Sequence, residues 1–340
     1  MSKIEQTDCL RAKPVVRAHS RAPVQTNERG LALVATLLVV TLLTIIVMEF
    51  TYSAQVNHHL ARNALSALQA SYLARSAVNL AQLILTQDAR ESGIDSLNEV
   101  WAQPLPVLPV GQGWVAVHIS DEMGKLNLNA LRNANGTIDR TWREVAERLF
   151  AEVGVDPARL DPLVDWLDAD DFPEPRGAEK EHYLSLTSPY EPRNGLLLTL
   201  GELARVEGFD PRTVERLRTV VSVLPVRDTK VNVNTAPTEV LFALFSPHGT
   251  QVVDILLTTR QETPFHGAKE VRERLGLTAS AFAGFSQLID ARSHYFSVQA
   301  SAMVNGVSQT LATLMRRRAG EVFPICWQPN AFGSWVTGEL

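Results

Sequence analysis

The chain is expected to adopt an α+β fold: a long N-terminal helix packed on a small antiparallel sheet, with a large all-helical insertion dividing that sheet. Three observations predict it. Residues 31–48 read LALVATLLVVTLLTIIVM without a charge, a Gly or a Pro, and helical spacing continues beyond them. Alternating apolar and polar residues occur near 114–129 and again at 295–315, as half-buried strands require. The interval 130–290 is dominated by helix-period patterns.

The first 30 residues carry six Lys/Arg (Lys3, Arg11, Lys13, Arg17, Arg21, Arg29) against Glu5, Asp8 and Glu28, a net of +3. The chain as a whole has a formal charge of -5, so the remainder sums to -8. A basic start on an acidic body excludes a protein that coats nucleic acid throughout and points to an asymmetric relation with a membrane. With 45% hydrophobic residues and two Cys in 340, the composition also excludes a collagen, a disulfide scaffold and a fully disordered chain.

A helix of eighteen residues covers about 27 Å, close to the hydrocarbon thickness of a bilayer. Thr36, Thr41 and Thr44 are tolerable there because a hydroxyl can bond the carbonyl one turn back. A cleavable secretory signal has a shorter apolar region and a small-x-small site. Here the run is longer and Glu49 follows it, so it reads as a retained span over 31–50. The upstream positives place the N-terminus in the cytoplasm and the rest of the chain outside it. Val56, Leu60, Leu65, Leu68, Tyr72, Leu73, Leu80, Leu83 and Ile84 then recur at helical spacing, with no Gly or Pro before Gly93. One helix from residue 31 to about 87, roughly 85 Å long, is predicted.

Glu28-Arg29-Gly30 runs directly into Leu31. That arrangement resembles the type IV pilin and pseudopilin family. The resemblance implies cleavage by a prepilin peptidase between Gly30 and Leu31, with residues 1–30 as leader. It also implies that the exposed helix becomes the packing core of a filament. One departure is informative. Most members carry a Glu four residues beyond the mature N-terminus, which neutralises the terminal amine of the subunit above; here that position is Ala35. An unpaired carboxylate in hydrocarbon costs about 2.5–3.5 kcal/mol. A subunit with nothing above it has no use for one, so the absence suggests a place at the filament tip. A simple signal-anchor is the alternative.

Pro104, Pro106, Pro109, Gly111 and Gly113 mark a connection. Residues 114–119 alternate as a strand, and Lys125-Leu-Asn-Leu-Asn129 repeats the pattern after a turn. At the far end, two strand-like runs, 295–304 and 307–315, flank Asn305-Gly306, a strong hairpin signal. Residues 91–129 and 292–325 would therefore form the α/β body. The insertion reads as two helical sets, 130–222 and 228–290, similar to SAM-like or helix-hairpin-helix-like units. Helices are predicted at 140–153, 196–206, 211–221, 238–245, 252–261 and 268–275, with Asp156-Pro157 and Asp210-Pro211 as start signals.

Several motifs occur in a fixed order: Asp121-Glu-Met-Gly-Lys-Leu-Asn-Leu-Asn129, Asp165-Trp-Leu-Asp-Ala-Asp-Asp171, Gly177-Ala-Glu179, Ser188-Pro-Tyr190, Glu202-Leu203 and Val231-Asn-Val-Asn-Thr-Ala-Pro-Thr-Glu-Val-Leu241. Together they resemble the general secretion pathway protein K family, the large minor pseudopilin of the type II secretion system, over residues 29–318. The resemblance implies a single-pass protein of the bacterial inner membrane with its C-terminal domain in the periplasm. It also implies partners among the other minor pseudopilins (I and J types), the prepilin peptidase and the inner-membrane assembly platform. The implied role is to cap the tip of the pseudopilus and help initiate its assembly for export of folded proteins across the outer membrane.

From Asp165 to Glu181, seven of seventeen residues are acidic, and Pro173, Pro175 and Gly177 give the stretch inflexible corners. Clustered carboxylates repel unless a cation sits among them, and Ca²⁺ takes six to eight oxygens. Asp168, Asp170 and Glu179 fall at relative positions 1, 3 and 12, but Phe172 and Pro173 stand where an EF-hand needs a ligand and a Gly. The family resemblance implies calcium in the helical insert. Asp168, Asp170, Asp171 and Glu179 are the candidate ligands, and a solvated acidic loop is the alternative.

No nucleophile elbow, His-Glu-x-x-His or Gly-rich phosphate loop is present, so the chain reads as a non-enzyme. Residues 231–275 also resemble helix-hairpin-helix units of competence-type DNA receptors, which makes a membrane-anchored DNA receptor the second functional reading. Its hairpin, Phe245-Ser-Pro-His-Gly-Thr250, has a single Gly. Arg260, Lys269, Arg272 and Arg274 are offset by Asp254, Glu262, Glu270 and Glu273, which argues against phosphate binding. Cys9 lies in the leader and leaves Cys326 alone, so no internal disulfide is expected. Residues 327–340, with Trp335, carry no clear signal.

Overall fold

A computed structural model describes residues 28–329 except Phe285. Cys9, the basic residues before Arg29, and the tail from Asn330 with Trp335 lie outside the described residues. Two compact units divide the chain, one ending at Arg62 and one beginning at Asn63. Helix α1 (Glu28–Glu91) contributes to both.

In the first unit, α1 is the one helix among the described residues long and apolar enough to cross a membrane, and none of its apolar window is buried. Thr36, Thr41 and Thr44 donate to the carbonyls of Leu33, Leu37 and Val40 at 2.9, 2.7 and 2.8 Å, as the sequence predicts.

In the second unit, α1 packs on a five-stranded antiparallel sheet of order β1 (Leu108–Val110), β2 (Gly113–Asp121), β7 (Tyr295–Val304), β8 (Val307–Arg318) and β9 (Glu321–Pro329). Of the apolar residues at helical spacing, Leu73 and Ile84 are partly buried against the sheet, but the fully buried face is mostly alanine. Ala70, Ala74, Ala77, Val78, Ala81 and Leu85 are 0–3% exposed against the sheet, whereas Leu65, Leu68, Tyr72 and Leu83 are 54–67% exposed. Small side chains let helix and sheet approach closely, and every third or fourth residue returns to the same face.

After a 3-10 turn at Val100–Ala102, which buries Trp101 edge-on to Phe296, the chain forms β1 (Leu108–Val110) and β2 (Gly113–Asp121). β1 lies within the Pro/Gly connection, which therefore contains an edge strand that the sequence reading missed. β2 pairs with β7 (Tyr295–Val304), and Asn305-Gly306 turns the chain into β8 (Val307–Arg318) with positive φ at both turn residues. A second such turn at Ala319-Gly320 adds β9 (Glu321–Pro329), so the sheet reaches Pro329, beyond the expected limit at residue 325.

The insertion leaves the sheet at Asp121 and returns at Tyr295. Lys125–Asn129 is not a strand of the body. Only β3 (Leu126–Asn127) is extended; it pairs in parallel with β4 (Val221–Ser222) and runs into a 3-10 turn, Leu128–Leu131. Similarly β5 (Val231–Asn232) pairs in parallel with β6 (Ile289–Asp290). Each short ladder joins the start of one helical set to its end. The first set holds α2 (Arg140–Glu152), α3 (Leu160–Trp166), α4 (Lys180–Leu184) and α5 (Pro211–Leu217). The second holds α6 (Thr238–Phe245), α7 (Thr250–Glu262), α8 (Ala268–Arg274) and α9 (Ala279–Ala283). The helix expected at 196–206 is a 3-10 turn, Leu200–Arg205; the start signal at Asp156-Pro157 opens a 3-10 turn, Pro157–Arg159, that leads into α3, and α4 was not foreseen. Asp156 and Asp210 cap as expected, accepting from Ala158 N and Thr213 N. One hydrophobic core, including Leu149, Phe150, Leu163, Tyr183, Leu241 and Phe245, runs through both sets.

Candidate metal centre and assembly surface

The metal candidates lie where α3 gives way to the acidic loop. Asp161 and Asp165 share one helical face, and both are buried. Asp161 is spoken for: Oδ1 accepts from Arg143 Nη2 at 2.5 Å and Oδ2 from Arg176 N at 3.2 Å. Asp165, fully buried, accepts from Glu174 N at 3.1 and 3.2 Å. A Cβ on Gly177 would collide with its carboxylate, so only Gly allows the loop to close over it.

Asp165, Asp168 and Glu179 each present an oxygen within 4.8 Å of the others, all three residues buried. Asp168 pairs through Oδ2 with Arg132 Nη2, leaving Oδ1 without a partner. Both oxygens of Glu179 and Asn194 Oδ1 are likewise buried and unpartnered. Asn194 sits beside the same segment, donating to Asp170 O at 3.2 Å, while Gly195 N bonds Trp166 O at 3.0 Å. Burial pushes Asp165 up to about 6. Burial, then the charges of Asp165, Asp171 and Asp170, pushes Glu179 up to about 7. Carboxylates crowded together in low dielectric shift in this direction.

Of the four sequence candidates, Asp168 and Glu179 converge. Asp170 and Asp171 are exposed and lie outside the closest group, though near enough to act on Glu179 through charge. Asp165 was missed, although its i,i+3 relation to Asp168 within a helical turn was a readable signal. Asn194 had none.

A second acidic group, Asp88, Asp95 and Glu99, carries its own cation. Arg317 reaches Asp88 and Asp95 at 2.7 and 2.6 Å, and Glu99 accepts from Ser96 N and Trp101 Nε1.

In the would-be DNA unit the cations are occupied. Arg260 donates to the carbonyls of Val233 and Ala236; Lys269 and Arg272 face Glu273, and Arg274 faces Glu270.

A single apolar N-terminal helix continuing onto an antiparallel sheet, with a leucine face left exposed, defines a pilin-like subunit. Two family models described as type II secretion system protein K match residues 124–226 and 231–292, the two helical sets closed by the short ladders. The type II secretion system protein K of Pseudomonas aeruginosa is 29% identical over 311 residues, covering 88% of this chain and 92% of the relative. That of Pectobacterium carotovorum is 31% identical over 222 residues, covering 62% and 68%. Among solved structures, the GspK-GspI-GspJ complex from the type 2 secretion system of enterotoxigenic Escherichia coli shares the fold. It has a TM-score of 0.70 at 21% identity, covering 79% of this chain and 98% of the matched one. The chain belongs to the type II secretion system protein K family, and its function is that of a minor pseudopilin in that apparatus.

Proposed function

We propose that this minor pseudopilin caps the tip of a periplasmic pseudopilus and helps initiate its assembly for export of folded proteins across the outer membrane. The observation that carries the reading is the division of labour on α1. Its alanine face is consumed by its own sheet, and Leu65, Leu68, Tyr72 and Leu83 remain for another helix. An exposed apolar stripe on a subunit of this class is an assembly surface. The I- and J-type minor pseudopilins are the partners it fits, in keeping with the GspK-GspI-GspJ complex of the structural relative. The bulky insertion leaves no room between stacked subunits, and Ala35 replaces the carboxylate that a subunit above would need to meet.

In this reading the chain is held in the inner membrane by residues 31–50, with its C-terminal domain in the periplasm. It is cut by the prepilin peptidase between Gly30 and Leu31 and engages the inner-membrane assembly platform. The insert acts as SAM-like and helix-hairpin-helix-like scaffolding. Its role is structural, not catalytic.

Calcium fits the Asp165–Asp168–Glu179 group. The donors are all hard oxygens, four of them buried without a partner once Asn194 Oδ1 is counted, and backbone carbonyls or water would complete a shell of six to eight. Bound there, Ca²⁺ supplies charge neutralisation, while Asp165, Asp168 and Glu179 tie α3 to the acidic loop and Asp170 and Asp171 flank the site. The assembly reading is tested by co-purification with the I- and J-type pseudopilins. Leu65→Asp with Leu68→Asp is expected to abolish capture while leaving the melting temperature of the chain unchanged. Undiminished capture would contradict it.

A further inference from the structure

The sheet face turned away from α1 carries a cavity of about 810 Å³. One row of its lining, His118, Gln299, Ala312 and Gln328, crosses β2, β7, β8 and β9 as successive cross-strand partners. At about 4.8 Å between strands the row is roughly 14 Å long. Around it the floor is built from small side chains, among them Ala116, Ser297, Ser301 and Cys326. Larger apolar groups stand at the rim. Val107, just before β1, is 51% exposed, and Leu198, from the insert, is 60% exposed. A floor of small residues leaves room for large side chains above it, and filling that room takes the apolar rim out of water.

The chain itself continues at this place. β9 is the last strand among the described residues and an edge of the sheet. Its Cys326 and Gln328 line the cavity, and it ends one residue later, at Pro329. Residues 330–340, which lie outside the described residues, therefore start at one end of the row. Eleven residues reach at most about 36–40 Å, so a reversal at Pro329-Asn330 or Gly333 still leaves enough chain to cross the row. Their composition suits the lining. Phe332, Trp335 and Val336 are apolar, and Glu339 is the single charged side chain. A buried aromatic ring removes about 150–250 Å² from water.

We propose that residues 330–340 fold back into this cavity, with Phe332 and Trp335 over the small-residue floor and beside Val107 and Leu198. A tethered segment meets its site at an effective concentration on the order of millimolar, which favours it over a free partner bearing the same groups. The cover shields the apolar rim and the Cys326 thiol. This site is separate from the α1 face and does not depend on the tip reading.

Cys326 lines the cavity and is exposed among the described residues, so its alkylation reports the cover. The full chain in detergent would be compared with a chain ending at Pro329 and with Phe332→Ala/Trp335→Ala. Maleimide labelling of Cys326 would be followed by mass spectrometry. The full chain is expected to label at least about tenfold more slowly than either variant. Val107→Asp, at an exposed rim position, is expected to speed labelling of the full chain and to leave that of the shortened chain unchanged. Acetyl-Asn-Ala-Phe-Gly-Ser-Trp-Val-Thr-Gly-amide is expected to restore protection to the shortened chain, and the same peptide with Ala for Phe and Trp is not. Equal labelling of the full and shortened chains would overturn the proposal. So would protection that survives Phe332→Ala/Trp335→Ala or Val107→Asp, which would assign residues 330–340 to backbone pairing on the free edge of β9. Protection of the full chain that rises with its concentration would overturn it too, and assign the cavity to a second copy.

Discussion

Arg317 on β8 and Asp95 in the segment after α1 lie 2.6 Å apart, both nearly fully buried, 222 residues apart in sequence. The same guanidinium reaches Asp88 at the end of α1 and stacks over Phe296, 4.6 Å from the ring centroid. Asp95 also accepts from Ser293 N, and its carbonyl accepts from Asn232. Removing one member of a buried ion pair leaves an uncompensated charge. Arg317→Met is expected to cost about 3–5 kcal/mol of unfolding free energy in urea titrations. Adding Asp88→Asn and Asp95→Asn should recover part of it.

Asp121, where β2 hands over to the insert, gives one oxygen to Asn232, Thr235 and Ser293 at 3.0, 2.6 and 2.5 Å. Burial raises it to about 6 in spite of these donors. A raised carboxyl pKa favours the folded state below the unfolded value, near 4, and that contribution is lost as pH rises through about 6. Stability is therefore expected to fall by up to about 3 kcal/mol between pH 4 and 6.5 on account of this group. Asp121→Asn should flatten that segment of the pH–stability curve; an unchanged slope would count against it.

Calcium should stabilise the chain. At a hundredfold excess over its dissociation constant, a ligand specific to the folded state adds about 2.7 kcal/mol. EGTA is expected to lower the melting temperature, and magnesium at equal concentration to restore less of it, given its stricter octahedral demand. Glu179→Gln and Gly177→Ala should erase the calcium response, whereas Asp170→Asn should only reduce it. Differential scanning calorimetry in calcium and in EGTA distinguishes these outcomes.

A Cβ built at Gly30 meets no heavy atom within 4 Å, so the fold has no need of glycine there. Gly30→Leu improves helix propensity by up to about 1 kcal/mol. If a peptidase requires that glycine, the variant folds yet retains its leader, and intact-mass measurement finds the full-length species in place of one beginning at Leu31. A variant processed like the parent would remove the cleavage site from the reading.

What was legible in the sequence is what local patterning records. The membrane run, the Asn305-Gly306 hairpin, β2, α2, α6 and α7 all follow from periodicity and turn chemistry confined to a few neighbouring residues. Two errors share a cause. Leucine spacing on α1 identified an apolar stripe but not which stripe meets the sheet, because alanines carry little hydropathy and yet permit the closest approach. Lys125-Leu-Asn-Leu-Asn129 alternates as a strand does, but only two residues pair; Asn127 and Asn129 are held instead by the backbone of Leu197, Leu224 and Val226. Its likeness to Lys230-Val-Asn-Val-Asn234 was an available sign that two units begin the same way.

By itself, then, the sequence determined the class of this chain: a basic prefix, a greasy helix, a split sheet and ordered motifs shared with one secretion family. Only tertiary structure decided that Asp165 joins Asp168 and Glu179, that Arg317 neutralises Asp88 and Asp95, and that a cavity opens on the far face of the sheet. Those facts depend on segments up to 240 residues apart being brought together, as when Gln82 bonds Val322 or Arg317 reaches Leu85. Helix and strand periods specify which way a side chain leaves its own element, and packing alone decides what it meets there.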